Sequence, residues 1–371
     1  MSVSEPDTYP LDLLISETPA ETPPPGRARH RKRRGRRRIA VGVLLGMLAI
    51  LTATAIGLYL MARALPGNID RIDGAFAGLD EQQRPSKPAT AADSLTFLLV
   101  GTDSRAPQQT TGEDAEDPVF KPGAQRSDVM MLARLPADRD RATVISIPRD
   151  SWVPIPGRGT MKLNAAYSLG GPPLLVQTVE QLTDIRIDHF AIVDFAGFQS
   201  IIDTLGGVDI TMGKATTVDD KRFAAGVNHL NGTQALAYVR ERHSLPRGDL
   251  DRVQRQQNLL RAIMTSARNM NPAQNPVKLY HLLDAGTRAI SVDDQLTDDK
   301  MRGLATGLAG LGGGGVSFLT APVRGTGREG TQSVVYLHEE RCATLWTAIR
   351  TDQLAEYTAN NRKDQLPSAP K

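Results

Sequence analysis

Hydrophobic residues form two kinds of run along this chain of 371 residues. The first kind is one long run, IAVGVLLGMLAILTATAIGLYLMA, which extends from Ile39 to Ala62 without a charged residue. As a helix it would measure roughly 36 Å, and the hydrocarbon layer of a bilayer is roughly 30 Å thick. The run is longer than the apolar part of a typical signal peptide, and its basic flank lies far from the first residue. The pattern therefore predicts a transmembrane helix at residues 39–62.

The second kind is a series of short apolar runs that begins at Leu95. LTFLLVG predicts a strand buried on both faces, and VMMLARL and ATVISIP predict the next two strands. Longer segments such as PPLLVQTVEQLT predict helices between strands. The segment DHFAIVDFAGFQSIIDTLGGVDI predicts a strand, a helix and, after a Gly-Gly turn, another strand. This succession predicts an α/β fold in which helices flank a mixed central sheet.

Polar segments divide the chain into further regions. Residues 1–38 end in RARHRKRRGRRR and have a composition that cannot bury a core, which predicts a disordered cytoplasmic tail. Residues 63–93 become rich in proline and alanine, which predicts a stalk outside the membrane. We expect the main folded domain at 94–357, with its main motifs within 95–267, and a frayed polar tail at 358–371.

The basic side chains are concentrated beside the predicted membrane helix. Nine of the 44 basic and five of the 41 acidic side chains lie in residues 1–38, which leaves 35 basic and 36 acidic ones elsewhere. The larger part lacks the positive field of a nucleic-acid binder, so no nucleic-acid partner is expected. Because arginines beside a span stay in the cytoplasm, we expect a single-pass cell-membrane protein with its domain outside. The basic segment is also expected to contact membrane lipid.

Charged side chains lie at the ends of the first three predicted strands. Asp103 and Arg105 follow the first strand, Arg126 and Asp128 precede the second, and Arg149 follows the third. Ligands gather at strand ends in mixed α/β sheets. Any one of these residues alone is more typical of a structural ion pair, but their repetition indicates one site.

A second group of charges lies between Ala237 and Gln257, in AYVRERHSLPRGDLDRVQRQQ. Its first residues alternate, which predicts a strand with Arg240 and Arg242 on one face. After a turn, the sequence predicts a helix with one face that carries Asp249, Arg252 and Gln256. Two interpretations remain open at this point, a salt-bridged surface and a site for a multiply charged phosphate ligand.

Taken together, these carboxylates and guanidinium groups favour a metal-bound pyrophosphate as the ligand. Asp103 and Asp128 offer hard oxygen ligands without a histidine at metal-binding spacing, so we expect Mg²⁺ or Mn²⁺ there. Guanidinium groups would neutralise two phosphates together with that ion. The arginines available for this are Arg105, Arg126, Arg149, Arg240, Arg242 and Arg252.

Several other kinds of site are absent from the sequence. It contains no Walker phosphate loop, no G-x-G-x-x-G after a predicted strand and no G-x-S-x-G nucleophile elbow. A nucleoside triphosphate or dinucleotide is therefore not indicated. The single cysteine, Cys342, excludes an intrachain disulfide and a multi-cysteine zinc site.

Several motifs in this order resemble the LytR-CpsA-Psr family of cell-wall glycopolymer ligases. They are GTDSR, RSDVMML, SIPRDSWV, KLNAAYSLGG, DHFAIVDFAGF and YVRER followed by GDLDRVQRQQ. The resemblance implies the family's α-β-α domain behind one membrane helix. It also implies a phosphotransferase that moves a glycopolymer from polyprenyl pyrophosphate to peptidoglycan, through a phosphodiester at the 6-hydroxyl of N-acetylmuramic acid. Teichoic acid, capsular polysaccharide and arabinogalactan remain alternatives for the polymer.

The resemblance further implies roles for individual residues. Asp103 and Asp128 would hold the metal, and Asp103 is also a candidate general base. Arg149, Arg240 and Arg242 would act in catalysis. The pyrophosphate would bind to a larger set, made of Arg105, Arg126, Arg149, Arg240, Arg242, Asp249, Arg252 and Gln256.

A lipid carrier also requires an apolar groove. Candidate lining residues follow from the apolar positions of two predicted helices and one strand, although ordinary core is the more frequent role of such residues. They are Phe190, Phe195, Phe198, Ile202, Leu259 and Ile263.

Two other functions are alternatives to transfer. The same site could hydrolyse the carrier with water as the acceptor. A non-catalytic transcriptional regulator that binds DNA through the basic segment is the second alternative, but that segment adjoins the predicted membrane helix and has no helix-turn-helix pattern beside it.

Overall fold

The computed structural model describes residues 65–102, 127–218, 221–241, 245–270, 274–309 and 315–370. The predicted cytoplasmic tail and transmembrane helix lie outside these ranges. Within the described ranges, no helix is both long enough and apolar enough to cross a bilayer. All described residues belong to one compact unit, Leu60–Lys371.

The described residues form the following strands and helices, numbered in chain order. The strands are β1 (Asp70–Ile72), β2 (Leu95–Thr102), β3 (Ser127–Leu135), β4 (Ala142–Ser146), β5 (Trp152–Ile155), β6 (Gly159–Lys162), β7 (His189–Asp194), β8 (Val208–Met212), β9 (Thr216–Val218), β10 (Lys221–Phe223), β11 (Gly226–Leu230), β12 (Ile290–Asp293), β13 (Val316–Thr320), β14 (Val323–Glu329) and β15 (Gln332–Leu337). The helices are α1 (Leu163–Thr183), α2 (Phe195–Leu205), α3 (Gly232–Arg240), α4 (Asp249–Asn269), α5 (Pro276–Arg288), α6 (Asp298–Ala309), α7 (Glu339–Arg350) and α8 (Leu354–Asn360).

Seven strands form the central sheet, in the order β1-β12-β7-β2-β3-β4-β13. The pairs β1/β12, β7/β2 and β4/β13 are parallel, and the other three pairs are antiparallel. Apolar residues of helices pack on both faces of this sheet. The predicted α/β fold with a mixed, helix-flanked sheet is therefore confirmed.

The two faces of the sheet are buried to different degrees. The first face, which includes Leu98 and Leu132, is fully buried against α1 and α7. The second face meets side chains of α4 and α6 and is closed only in part. Four of its side chains in the middle of the sheet are half-buried, namely Phe97, Leu99, Val129 and Ala133. The prediction that LTFLLVG is buried on both faces is thus wrong for the second face.

A kink in α1 lets one long helix cover the first face. Gly171 has φ +64° and interrupts the helix just before Pro172 and Pro173. A positive φ costs glycine little, and proline cannot continue the hydrogen-bond ladder behind it. After the kink, Leu175 and Val179 return to the core and are fully buried.

The segment predicted as a stalk belongs to the folded domain. Asp70–Ile72 forms the edge strand β1, parallel to β12, and both Ile72 and Ala75 are in the core. Arg84 forms a buried ion pair with Glu180 of α1 at 2.8 Å. The domain therefore begins well before Leu95. A strand of three residues has too few positions for an alternation to be recognised, which explains the error.

The tail predicted to fray is also packed in place. The N–H of Leu366 donates to the Phe318 carbonyl at 3.0 Å. The Arg261 guanidinium donates to the carbonyls of Pro367 and Ser368, each at 2.9 Å. The Pro370 carbonyl in turn accepts a bond from the N–H of Gly213. Most of these contacts use backbone groups, so the polar composition of the tail did not indicate them.

The stretch Ala237–Glu241, predicted as a strand, is the end of helix α3 and the residue after it. Asn231 begins this helix with a capping box, in which the side chains of Asn231 and Gln234 each accept from the other's backbone N–H. The N-x-x-Q spacing is a helix-start signal. It outweighs an alternation over only five residues, and Arg240 therefore lies in a last helical turn.

Candidate active site

Three strand ends meet at one edge of the central sheet. Thr102, the last residue of β2, pairs with Ser127 at the start of β3 and with Asp194 at the end of β7. Because β4 runs antiparallel to β3, its last residue, Ser146, lies toward the same edge. The predicted convergence of strand ends is present in the described residues.

Arg149 lies in a tight turn directly after β4. Both the N–H and the hydroxyl of Ser151 donate to the Pro148 carbonyl, at 3.0 and 2.7 Å. The N–H of Asn164, near the start of α1, donates to the carbonyl of Arg149 at 3.0 Å. The backbone on both sides of Arg149 is therefore fixed, which limits the positions that its guanidinium can reach.

Four charged side chains form what we call the ion-pair chain. Arg149 contacts Asp128 of β3, and its Nε lies 3.7 Å from Asp249 at the start of α4. Asp249 also contacts Arg252 in the next turn of the same helix. None of the four side chains is more than 11% exposed. Charges at such burial are costly unless they are paired, so the pairs hold two guanidinium groups in a nearly dry site.

A second, more open pair lies beside this chain. Asp150 lies 4.0 Å from Arg149 Nε and 3.2 Å from Lys162 Nζ. Lys162 is the last residue of β6 and directly precedes α1. This pair adds an ammonium group to the same neighbourhood as the ion-pair chain.

Helix α4 is anchored where β4 and β13 end. The side-chain amide of Gln257 donates to Ser146 Oγ at 2.8 Å and to the Leu319 carbonyl at 2.5 Å. Gly248, with φ +54°, precedes the helix and turns the chain into it. Asp249 occupies the first turn, where a carboxylate is favoured by the helix dipole. The anchor therefore fixes Asp249, Arg252 and Gln256 relative to the sheet edge.

Arg255, which the sequence analysis did not single out, is completely buried beside this group. Its guanidinium lies over the ring of Tyr238 at 4.7 Å and donates to the Tyr238 carbonyl at 3.3 Å. Within the described residues, its Nε and Nη2 have no hydrogen-bond partner. Burial lowers the pKa of Arg255 and raises the pKa of Tyr238. The three-residue spacing from Arg252 was the available signal, because it places both on neighbouring turns.

The predicted site residues have different outcomes. The structure brings Asp128, Arg149, Asp249 and Arg252 into direct contact, and Gln256 lies one turn further along α4. Arg240 is exposed at the end of α3, which packs against α4. Four further candidates lie outside the described residues, namely Asp103, Arg105, Arg126 and Arg242.

The described residues provide a limited donor set for a metal. No group of three histidine, cysteine, aspartate or glutamate side chains within them is arranged to hold an ion. Asp128 nevertheless places a hard oxygen at the sheet edge. Mg²⁺ commonly uses one or two carboxylates and completes its shell with water and substrate phosphates. Asp128 therefore fits a metal shared with a phosphate ligand.

The predicted lipid-groove residues do not form one surface. Phe190 belongs to the core under the first face of the sheet. Ile202, Leu259 and Ile263 belong to a separate core cluster between α2, α3 and α4, with Phe198 packed against it. The side chain of Phe195 lies outside the described set.

A different apolar surface extends from the ion-pair chain. The half-buried side chains of the second face lie on β2 and β3, the strands that end and begin beside Asp128. Leu260 and Met264 of α4 pack beside them and are also half-buried. The all-apolar run LTFLLVG was interpreted as burial of both faces by the protein's own core, although the second face is covered only in part.

Comparisons with known proteins identify relatives of the kind that the motifs implied. The chain is 34% identical to the cell wall biosynthesis protein LcpA of Corynebacterium glutamicum, over 72% of this chain and 58% of LcpA. It thus spans less than two thirds of that relative. It is 31% identical to the polyisoprenyl-teichoic acid–peptidoglycan teichoic acid transferase TagU of Oceanobacillus iheyensis, over 76% of this chain and 84% of TagU.

A solved structure and a family model agree with these relatives. The LytR-Csp2A-Psr enzyme from Actinomyces oris superposes with a TM-score of 0.57 at 23% identity, over 76% of this chain and 96% of that one. At this identity the similarity demonstrates the fold alone. The model of the LytR_cpsA_psr family matches residues 74–351, well over half of the sequence. On this match and these identities, the chain belongs to the LytR-CpsA-Psr family.

Proposed function

We propose that this chain transfers a glycopolymer from a polyprenyl pyrophosphate carrier to peptidoglycan, with formation of a phosphodiester bond. As a member of this family it is a transferase of cell wall assembly. The names of its relatives support the substrates, since one is a cell wall biosynthesis protein and another a teichoic acid–peptidoglycan transferase. The observation that carries the proposal is the ion-pair chain, which holds two buried guanidinium groups at the sheet edge.

The ion-pair chain is suited to charge that develops on phosphate. A guanidinium has five N–H donors, so Arg149 and Arg252 can stay paired with Asp128 and Asp249 while other donors face a pyrophosphate. The two carboxylates hold the guanidinium groups of Arg149 and Arg252 in place before the substrate binds. Fixed donors in a site with little water stabilise developing charge without reorganisation.

The transfer balances without a covalent enzyme intermediate. The acceptor hydroxyl oxygen bonds to the polymer-side phosphorus, and the bond from that phosphorus to the bridging oxygen breaks. The electron pair of the broken bond leaves on polyprenyl phosphate, and the hydroxyl proton would pass to a general base, for which Asp103 is the candidate. Arg149 and Arg252 would stabilise the charge on the leaving phosphate, and Arg240 would add a third guanidinium from the end of α3.

A divalent metal is part of the proposal. Asp128 would hold Mg²⁺ or Mn²⁺, together with Asp103, and the ion would supply neutralisation of the two phosphates. Chelation of divalent ions should abolish binding of the carrier by the full chain, and Mg²⁺ should restore it. Undiminished carrier binding in excess chelator would remove the metal from the proposal.

The second face of the sheet is the proposed site of the polyprenyl chain. Its half-buried apolar side chains continue directly from the edge that carries the ion-pair chain, so a lipid attached to a bound pyrophosphate would reach them. A carrier with a longer polyprenyl chain should bind more tightly until the surface is covered. Affinity that does not depend on chain length would contradict this assignment.

The proposal also includes a cell-membrane location with the domain on the outer side. It rests on the uncharged run Ile39–Ala62 behind the basic segment. In intact cells, added protease should digest the domain but leave an N-terminal epitope protected. Protection of both parts would contradict the orientation.

The direct test uses the full chain with a saccharide-linked polyprenyl pyrophosphate and peptidoglycan. Arg149→Ala should lower product formation by about 100- to 1,000-fold, the size seen when a fixed transition-state donor is removed. Arg268→Ala is a matched control, because Arg268 is exposed near the far end of α4. Equal activity in wild type and Arg149→Ala would refute the site. Release of polymer without any acceptor would favour the hydrolase instead.

A further inference from the structure

An open cleft lies between α2 and α5, separate from the ion-pair chain. Its volume is about 820 Å³, within the range of roughly 300–1,000 Å³ that is typical of ligand sites. One wall extends along α2 from Gly197 to Thr204, and the other extends along α5 from Pro276 to Arg288. Seven helical residues correspond to roughly 10 Å, so the cleft is long enough for about two sugar rings.

The walls of the cleft carry side chains suited to a saccharide. Hydroxyl and amide groups come from Ser200, Thr204 and Asn275, and cationic groups come from Lys278 and Arg288. The ring of His281 is exposed in the same wall and packs edge-on against Tyr280, with the ring centroids 5.7 Å apart. Polar groups that bond to hydroxyls beside a flat ring are a common composition for sugar sites.

Several of these groups are held in position by the fold. Lys278 Nζ donates to the Leu205 carbonyl at the end of α2, at 2.9 Å. Arg288 Nε lies 3.3 Å from Asp284, which also accepts a bond from Asn68 at 2.8 Å. The two cations and one carboxylate leave a net positive charge on the wall. Such a surface favours a ligand that carries carboxylates.

One end of the cleft lies close to the sheet edge that carries the ion-pair chain. Gly197 comes three residues after Asp194, which ends β7 at that edge, and Ile290 at the start of β12 pairs with Val193 of β7. Only β2 separates β7 from β3, the strand of Asp128. At roughly 4.8 Å per strand spacing, the end of β7 lies roughly 10 Å from β3, and the cleft begins about one helical turn beyond that end.

We propose that this cleft binds the acceptor, as a segment of N-acetylated glycan strand that carries peptide carboxylates. The inference rests on the proposed function and adds the place of the second substrate. The carrier's pyrophosphate and lipid are assigned to the ion-pair chain and the second face. An acceptor that attacks in line with the leaving oxygen needs its own surface within reach of the same phosphate.

The openness of the cleft also favours the acceptor. Ser200, Asn275, Val277 and His281 are all exposed along its length. A glycan strand of peptidoglycan continues beyond any segment that an enzyme binds, so its site must be open at both ends. A closed pocket would exclude such a polymer, whereas the exposed walls of this cleft admit one.

The test measures binding of a soluble disaccharide-pentapeptide fragment of peptidoglycan to the full chain by titration calorimetry. Ser200→Trp should fill the cleft and raise the dissociation constant by at least about tenfold. His281→Ala removes a ring from the wall without filling the cleft and should weaken binding in the same direction. Leu283→Trp is the matched control, because Leu283 is 45% exposed on α5 and does not line the cleft.

Binding of a polyprenyl pyrophosphate is measured on the same proteins. Wild-type affinity for the carrier in Ser200→Trp, together with weakened fragment binding, supports the proposal. Fragment affinity that is unchanged in both cleft variants overturns it. Tighter binding of the free glycopolymer than of the peptidoglycan fragment also overturns the proposal. If wild type does not bind the carrier, the proposed function fails, and the fragment titration still reports on the cleft by itself.

Discussion

The two faces of the central sheet differ although the same strands form them. On β2, Leu98 is fully buried on the first face, whereas its neighbour Leu99 is half-buried on the second. The first face is sealed by a kinked helix of 21 residues and by α7. The second face receives only scattered contacts from α4 and α6. One sheet therefore provides a closed core on one side and an incompletely covered apolar surface on the other.

The difference suits the two faces to different roles, the first to folding stability and the second to ligand binding. A face that is fully covered can contribute only to folding, whereas an apolar face left half-covered is available to a ligand. The ion-pair chain lies at the sheet edge where β2 and β4 end and β3 begins. Burial of the first face would then hold the charged edge rigid while the second face receives the carrier lipid.

The sharpest test of this comparison uses the two adjacent leucines. Leu98→Ala should destabilise the domain by roughly 2–5 kcal/mol, because it opens a cavity in a closed core. Leu99→Ala should cost less than half as much but weaken binding of the polyprenyl carrier. Thermal unfolding and carrier titration on both variants measure this. The comparison fails if the two substitutions have equal effects on stability and neither changes carrier affinity.

A smaller effect is expected where the last residues cross the edge of the second face. Arg261→Ala removes two charge-assisted bonds to the carbonyls of Pro367 and Ser368. A hydrogen bond to a charged group contributes roughly 1.5–3 kcal/mol. Because both of these bonds are exposed to solvent, we expect a combined loss of only roughly 2 kcal/mol. The Leu366 amide, bonded to Phe318, should then exchange its hydrogen faster. Arg268→Ala, on the same helix, should change neither quantity, and protection of Leu366 in Arg261→Ala would contradict the assignment.

Substitution of Arg255 should lower turnover without lowering the stability of the domain. Arg255→Met keeps an apolar stem but loses the contacts with the ring and carbonyl of Tyr238, in the last turn that carries Arg240. Replacing a buried charge by an apolar residue is often neutral for stability. Turnover should fall by about tenfold because the helical turn that carries Arg240 loses its contacts with Arg255, and this factor corresponds to about 1.4 kcal/mol. Arg255→Lys should recover part of the rate, and wild-type turnover in Arg255→Met would show that Arg255 is structural only.

The sequence predicted the strands whose burial is visible as a continuous run of apolar residues. β2, β3, β4 and β7 are apolar runs because both faces of the central sheet carry apolar side chains, and all four strands were predicted. Strand β1 was missed because three residues cannot establish a period. The end of α3 was assigned to a strand because five residues alternate there, whereas the capping box at Asn231, nine residues before Arg240, begins a helix that continues through them.

The candidate site was predicted to a similar extent and for a related reason. Charges at the ends of apolar strands are conspicuous in a sequence, so Asp128 and Arg149 were found. Arg255 was missed because its buried environment comes from Tyr238, 17 residues earlier. The cleft between α2 and α5 was missed because its walls are polar surfaces of two helices that are about 80 residues apart. No periodicity in either helix predicts that the two surfaces face each other.

The smallest expected effect concerns a thiol on the closed side of the sheet. Cys342 is buried in the core of the first face, and burial raises its pKa from 9.0 to about 11. The folded state therefore favours the protonated thiol. Its contribution to stability is complete below pH 9 and is lost as the pH rises toward about 11.

At pH 8, the folded full chain should not react with iodoacetamide, whereas the chain in denaturant should. Ala133→Cys, made in a Cys342→Ala background, places a thiol on the half-buried second face and should react in the folded state. If Cys342 reacts as fast as this engineered thiol, the first face is not closed and the contrast between the two faces does not hold.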